Sequence, residues 1–139
     1  IQAQALHKTR QRLQAQGLQD RVSLHLASHA EMALLVPRVW HGRIQAIMFN
    51  LGYLPGADKS LITQPDNTLP ALEAARGLLA SQGIITVMAY PGHAGGGEET
   101  NRVEQWLSQL ETDCYQVRTI FSVHHQASAP RLFVIRKLG

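Results

Sequence analysis

Two hydrophobic periods alternate along this chain. Residues 1–16 place Ile1, Ala5, Leu6 and Leu13 near one face, with Lys8, Arg10 and Arg12 elsewhere. That is the 3.6-residue spacing of an amphipathic helix, and Gly17 follows as a plausible stop. Residues 22–27 then alternate Val22, Leu24 and Leu26 against Ser23 and His25, which predicts a short strand. Ser28 or His29 precedes a helical turn over 32–36 that ends near Pro37, and His41-Gly42-Arg43 forms a turn. The run 44–49 has the look of a buried strand. Asn67 or Thr68 can cap a helix to about Ser81, with Pro70 tolerated in its first turn. Gly83 ends that helix, and 84–89 is a second, strongly apolar strand. A helix over about 98–110 sets Val103, Trp106, Leu107 and Leu110 on its inner stripe. Segments 115–123 and 131–138 are β-rich, separated by 124–130, and read as a terminal antiparallel pair.

Strands that alternate with helices predict an α/β fold whose parallel sheet is covered on both faces, with an antiparallel strand near the C-terminus. In open α/β sheets, ligands bind beyond the carboxyl ends of the strands. The run 44–49 empties into Asn50-Leu51-Gly52-Tyr53-Leu54-Pro55-Gly56-Ala57-Asp58-Lys59-Ser60, which carries an amide, a phenol, a carboxylate and an ammonium. The second apolar strand empties into Tyr90-Pro91-Gly92-His93. These two loops are neighbours if the strands are, and chemistry is expected there.

Length and composition narrow the class without naming a reaction. A chain of 139 residues is one domain, large enough for a core. No apolar run reaches the roughly 18–20 residues that span a bilayer, and the Gln-rich start has no signal-peptide character. The single cysteine, Cys114, excludes an internal disulfide framework, makes a structural zinc site unfavourable and fits a reducing cytoplasm. A net charge of +3 is compatible with a polyanionic partner and does not demand one. The chain starts at Ile1 inside a predicted helix, so its natural beginning is expected to lie upstream.

Phe49-Asn50-Leu51-Gly52-Tyr53-Leu54-Pro55-Gly56-Ala57-Asp58-Lys59-Ser60, with residues 68–79 and Gly83-Ile84-Ile85-Thr86-Val87 running into Tyr90-Pro91-Gly92-His93, resembles the bacterial putative rRNA methylase family. The resemblance covers essentially the whole chain. It implies a class I, Rossmann-like S-adenosylmethionine (SAM) methyltransferase sheet lacking its first two strands. The unit is then a single partial domain over 1–139. Family strand order 3-2-1-4-5-7-6 would leave 22–27 without a neighbour and 44–49 with an exposed edge. The implied activity is N-methylation of the 5-aminomethyl group of the tRNA wobble uridine, with SAM as cofactor, a tRNA anticodon region as partner and no membrane. A homodimer is favoured by the resemblance. The glycine-rich loop and the acidic residue that hold SAM would precede residue 1, so the chain as written is expected to be idle by itself.

Within that resemblance, cofactor contacts fall on Gln2, Ser28, His29, Asn50 and Leu51. Catalytic positions fall on Asn50, Tyr53, Asp58 and His93, and substrate contacts on Tyr53, Lys59, Tyr90 and His93. No metal is implied, because a sulfonium is already an excellent leaving group. Each residue also has a plainer reading. Ser28 or His29 serves as an N-cap, Asn50 as an Asx turn, Tyr53 as a half-buried ring and Asp58-Lys59 as a solvated ion pair. Glycines 95–97 suit either a lid or slack. His7, His25, His41 and the pair His124-His125 read as structural or exposed. Two other functions remain open: a non-catalytic Rossmann-like module, structural or RNA-binding, and a small-molecule methyltransferase.

Overall fold

A computed structural model describes residues 3–52, 65–122 and 126–139. Helix α1 (Ala3–Ala15) ends at Gly17, whose φ of +66° is the left-handed stop that glycine adopts freely. A single helical turn at His29–Glu31 leads into the short α2 (Met32–Leu35). Ser28 closes a capping box there. Its side chain accepts from Ala30 N–H at 3.3 Å, and its own N–H donates to Glu31 Oε2 at 3.0 Å. Then follow β1 (Ile44–Asn50), α3 (Pro65–Leu78), β2 (Leu79–Ala89), α4 (Gly96–Ser108), β3 (Tyr115–Phe121) and β4 (Arg131–Lys137).

The four strands form one sheet in the order β1-β2-β4-β3. β1 and β2 are parallel, while β4 runs antiparallel to both β2 and β3. This is the arrangement the resemblance implied for the fourth, fifth, seventh and sixth strands. Regular β1–β2 pairing runs from Ala46↔Ile84 to Asn50↔Met88. The stretch before Ile84 is irregular. Gln82 has a φ of 61°, and a Cβ on Gly83 would meet Ala80 O at 2.8 Å, so the helix-to-strand corner needs glycine.

Alternation along the strands sends one set of side chains into the core. Phe49, Ile85, Val87, Ala89, Phe133 and Ile135 pack with Ala71, Leu72 and Ala75 of α3 and with Val103, Trp106 and Leu107 of α4. Trp106 Nε1 donates to Glu73 Oε1 at 2.6 Å and pins the two helices together.

Two expectations are corrected. Residues 22–27 form no strand: a strand exists only as a ladder, and the extended backbone at Val22 (φ −133°, ψ 124°) pairs with none of the described strands. Nor is the sheet covered on both faces among the described residues. α3 and α4 pack on the same face, and Met48 on the other is 83% exposed. α1 has no buried residue.

A core gathered on one face makes a contrast testable. Phe133→Ala should cost about 3–5 kcal/mol through a buried cavity, whereas Met48→Lys should change stability by less than about 0.5 kcal/mol. Urea denaturation followed by circular dichroism measures both, and equal losses would contradict the one-sided core.

Candidate active site

Parallel pairing of β1 and β2 brings their carboxyl ends to one rim. Leu51 N–H donates to Met88 O at 2.9 Å, so the ladder continues one residue past Asn50. Gly52 then turns the chain away with a φ of +105°, a conformation open to glycine and strained for other residues. On the neighbouring strand Tyr90 follows Ala89, and its hydroxyl donates to Asn50 Oδ1 at 2.9 Å. This bond fixes the Asn50 amide: its oxygen faces Tyr90, and its NH2 group remains a donor.

The two strand ends enclose a cleft of 330 Å³ lined by Asn50, Leu51, Gly52, Tyr90, Gly92, His93 and Ser128. Four predicted site residues, Asn50, Leu51, Tyr90 and His93, therefore meet in one place. None of these lining residues is a Lys, Arg, Asp or Glu, so the described walls offer neutral hydrogen-bonding groups.

His93 sits in the wall. Its Nδ1 lies 2.9 Å from Ala94 O, a bond that assigns the ring proton to Nδ1 in the neutral form. Its Nε2 is buried. A Cβ on Gly52 would come within 3.2 Å of Nε2, and one on Gly96 within 2.9 Å, as well as inside contact with Tyr90 O. Of the glycines after His93, Gly96 is a buried close-packing position and Gly95 caps α4 with a φ of +79°. That answers the choice between lid and slack with neither. Gly92 approaches Ser128 O just as closely, at 2.8 Å for an added Cβ, which ties the 126–130 turn to the cleft.

Ser28 and His29 lie apart from these residues, in a broader depression of 700 Å³ with Met32 and Trp40. The cap reading of Ser28 is realised. The His29 ring meets Phe49 edge-on at 6.2 Å between centroids, and its Nε2 is buried with no hydrogen-bond partner among the described residues. Burial holds the His29 pKa below 6.5, against a backbone hydrogen bond with Asn67 and the charge of Glu99, both of which raise it. Gln2, Tyr53, Asp58, Lys59 and His124-His125 lie outside the described residues. Among the described residues no cluster of three His, Cys, Asp or Glu could hold a metal. None of their helices is long and apolar enough to cross a membrane.

Sequence reasoning missed Ser128, because nothing in the sequence ties the 126–130 turn to Gly92. It also missed the buried pair Thr68 and Glu99, whose hydrogen bond spans 31 residues.

The model of the Putative rRNA methylase family matches residues 1–136. The chain belongs to that family. The chloroplastic tRNA (mnm(5)s(2)U34)-methyltransferase of Arabidopsis thaliana is 42% identical over 113 residues, covering 79% of this chain and 40% of that protein. The chain thus spans well under half the length of that curated relative. Among solved structures, a putative rRNA methylase from Clostridium thermocellum superposes with a TM-score of 0.91 at 35% identity, over 99% of this chain and 72% of that one. A putative methyltransferase from Streptococcus mutans, in complex with SAH, superposes with a TM-score of 0.86 at 33% identity over 99% and 73%. The fold of this family member is α/β and Rossmann-like, with a four-stranded mixed sheet.

Two predictions follow the packing and the buried imidazole. Gly96→Ala should destabilise by about 1–3 kcal/mol through overpacking. Gly97→Ala, whose Cβ would meet nothing nearer than 3.8 Å, should be neutral or slightly stabilising. Thermal melts of the two variants separate these outcomes. For His29 the folded pKa is depressed, so below pH 6.5 the unfolded chain binds more protons than the folded one. Its contribution is complete above pH 6.5 and is lost as pH falls through the lower, folded pKa. His29→Gln should therefore flatten the acid decline in urea midpoint between about pH 7 and about pH 5; an unchanged slope would remove His29 as its source.

Proposed function

We propose that this chain is the acceptor-side part of a SAM-dependent methyltransferase acting on RNA, and that residues 1–139 form one partial domain of that enzyme. Its most specific substrate reading is the 5-aminomethyl group of the tRNA wobble uridine. The observation that carries this is the cleft where the Asn50 amide, fixed by the Tyr90 hydroxyl, faces the rim shared by two parallel strands. Family membership and the activity for which the Arabidopsis relative is named support it.

The described residues fit SAM as one side of its site. The Nε2 of His29, without a partner among the described residues, offers a polar contact for the adenosine end, beside the Ser28 turn. Asn50 and Leu51 offer neutral dipoles where the cationic sulfonium would lie. Gln2 is assigned to the same adenosine end by resemblance alone. When bound, SAM supplies a methyl carbon activated by its positive sulfur.

The protein's own task is to present the acceptor amine neutral and aligned. A protonated amine has no lone pair to attack with. The described walls of the cleft carry no carboxylate, so a charged partner for an ammonium is not among them. Asn50 and Tyr90 orient the amine through hydrogen bonds. Asp58 and Tyr53 are the groups assigned to take its proton, and Lys59 is assigned to a backbone phosphate of the RNA. His93, with Nε2 enclosed by Gly52 and Gly96, holds the wall that the substrate base rests on.

Transfer of labelled methyl from SAM to bulk tRNA from a strain lacking this modification tests the reading in the full-length protein. Asn50→Ala should lower kcat at least about tenfold with less change in the KM for SAM, the mark of an interaction made mainly in the transition state. Asp58→Asn should move the pH–rate profile. Transfer to small amines with none to tRNA would replace RNA by a metabolite substrate, and no SAM binding by calorimetry would favour the non-catalytic module.

A further inference from the structure

Among the described residues, three buried side chains are polar: Thr68, Glu99 and Thr100, at 0%, 3% and 1% exposure. All three belong to one connection. Thr68, in the first turn of α3, donates its hydroxyl proton to Glu99 Oε1 at 2.6 Å. Glu99 stands in the first turns of α4, where its own N–H donates to Gly95 O at 3.0 Å. Thr100 donates to Gly96 O at 2.7 Å, and Gly96 N–H donates to His93 O at 3.0 Å. Gly96 is the residue whose missing side chain admits the His93 ring. On the other side, the Glu99 charge acts on His29, in the turn beside β1.

A buried carboxylate is costly unless its surroundings require the charge. Here the surroundings supply it with a short hydroxyl donor and the positive ends of two helices. Helix packing alone does not need this arrangement, since Trp106–Glu73 and the exposed Arg102–Asp66 pair already join α3 to α4. What the Glu99 connection adds is position. It fixes the start of α3, and it fixes the start of α4 where the His93 wall begins.

We propose that Glu99 is a positioning residue for the methyl-transfer site, setting the His93–Gly96 wall against the His29 turn through its bond to Thr68. This rests on the reading of the cleft as an acceptor site. The adenosine side and the acceptor side are thereby held by one buried anion. The carboxylate touches neither substrate nor cofactor; it acts through His93, His29 and the helix starts.

The test uses Thr68→Val, Thr68→Ser and Glu99→Gln in the full-length protein, with imidazole resonances followed by long-range nitrogen–proton NMR. Thr68→Val removes the donor and keeps the volume, and it should lower kcat about 10- to 100-fold, the scale of a misplaced reacting group. The KM for SAM should change far less, and Thr68→Ser should restore kcat to near the parent value. In Thr68→Val the resonances of both His93 and His29 should shift. In Glu99→Gln the His29 titration should also move to lower pH, because the charge that raises it is gone. If Glu99→Gln does not fold, the threonine pair still decides. Unmoved His93 and His29 resonances in Thr68→Val would overturn the proposal. So would a folded Thr68→Val with parent kcat. Resonance shifts in a protein with no methyl transfer at all would keep the coupling and remove the reaction it serves.

Discussion

Parallel pairing of β1 with β2 is the constraint on which the rest depends. Parallel register fixes both carboxyl ends at one rim, and the bond from Leu51 N–H to Met88 O carries that register to the last residue before the turn. With Asn50 opposite Met88, Tyr90 lies two residues further on, just past the end of β2, and within reach of the Asn50 amide. A one-residue slip would send Asn50 to the core face and Phe49 to solvent. The buried set Phe49, Ile85 and Val87 therefore holds the site geometry as well as the core.

The wall of the cleft is built by close approach. Gly52, Gly92 and Gly96 each occupy a spot where a side chain would meet His93, Ser128 or the Tyr90 carbonyl. Their loss of backbone freedom on folding is a real cost, offset by letting three loops touch without intervening side chains. Rigid walls of this kind suit a reaction whose main requirement is alignment of a nucleophile.

The alternation of strands and helices was legible because each strand's apolar run and each helix's stripe is local. The stripe Val103, Trp106, Leu107 and Leu110 is buried as its spacing implied, and regular pairing of β2 begins at the predicted Ile84. The strand at 22–27 failed because alternation reports amphipathicity, whereas a strand needs a neighbour. Asn50, Leu51, Tyr90 and His93 were legible as a group because strand ends in a parallel sheet are the default site. Ser28 showed both a cap and a candidate contact, and its spacing to Glu31 is satisfied by the cap. Glu99 was hidden in the opposite way: adjacent to Glu98 in a glycine-rich stretch, it looks like a solvated charge. Only the fold turns one carboxylate outward to Arg102 and the other inward to Thr68.

The same connections join the sheet rim to the helices. Gly52, at the end of β1, packs on His93, and the Thr68–Glu99 bond lies at the start of α3. Both contacts meet the start of α4, where Gly96 N–H donates to His93 O and Thr100 donates to Gly96 O. The wall of the cleft and the first turns of two helices therefore share one set of anchors, and loosening either contact would disturb them together.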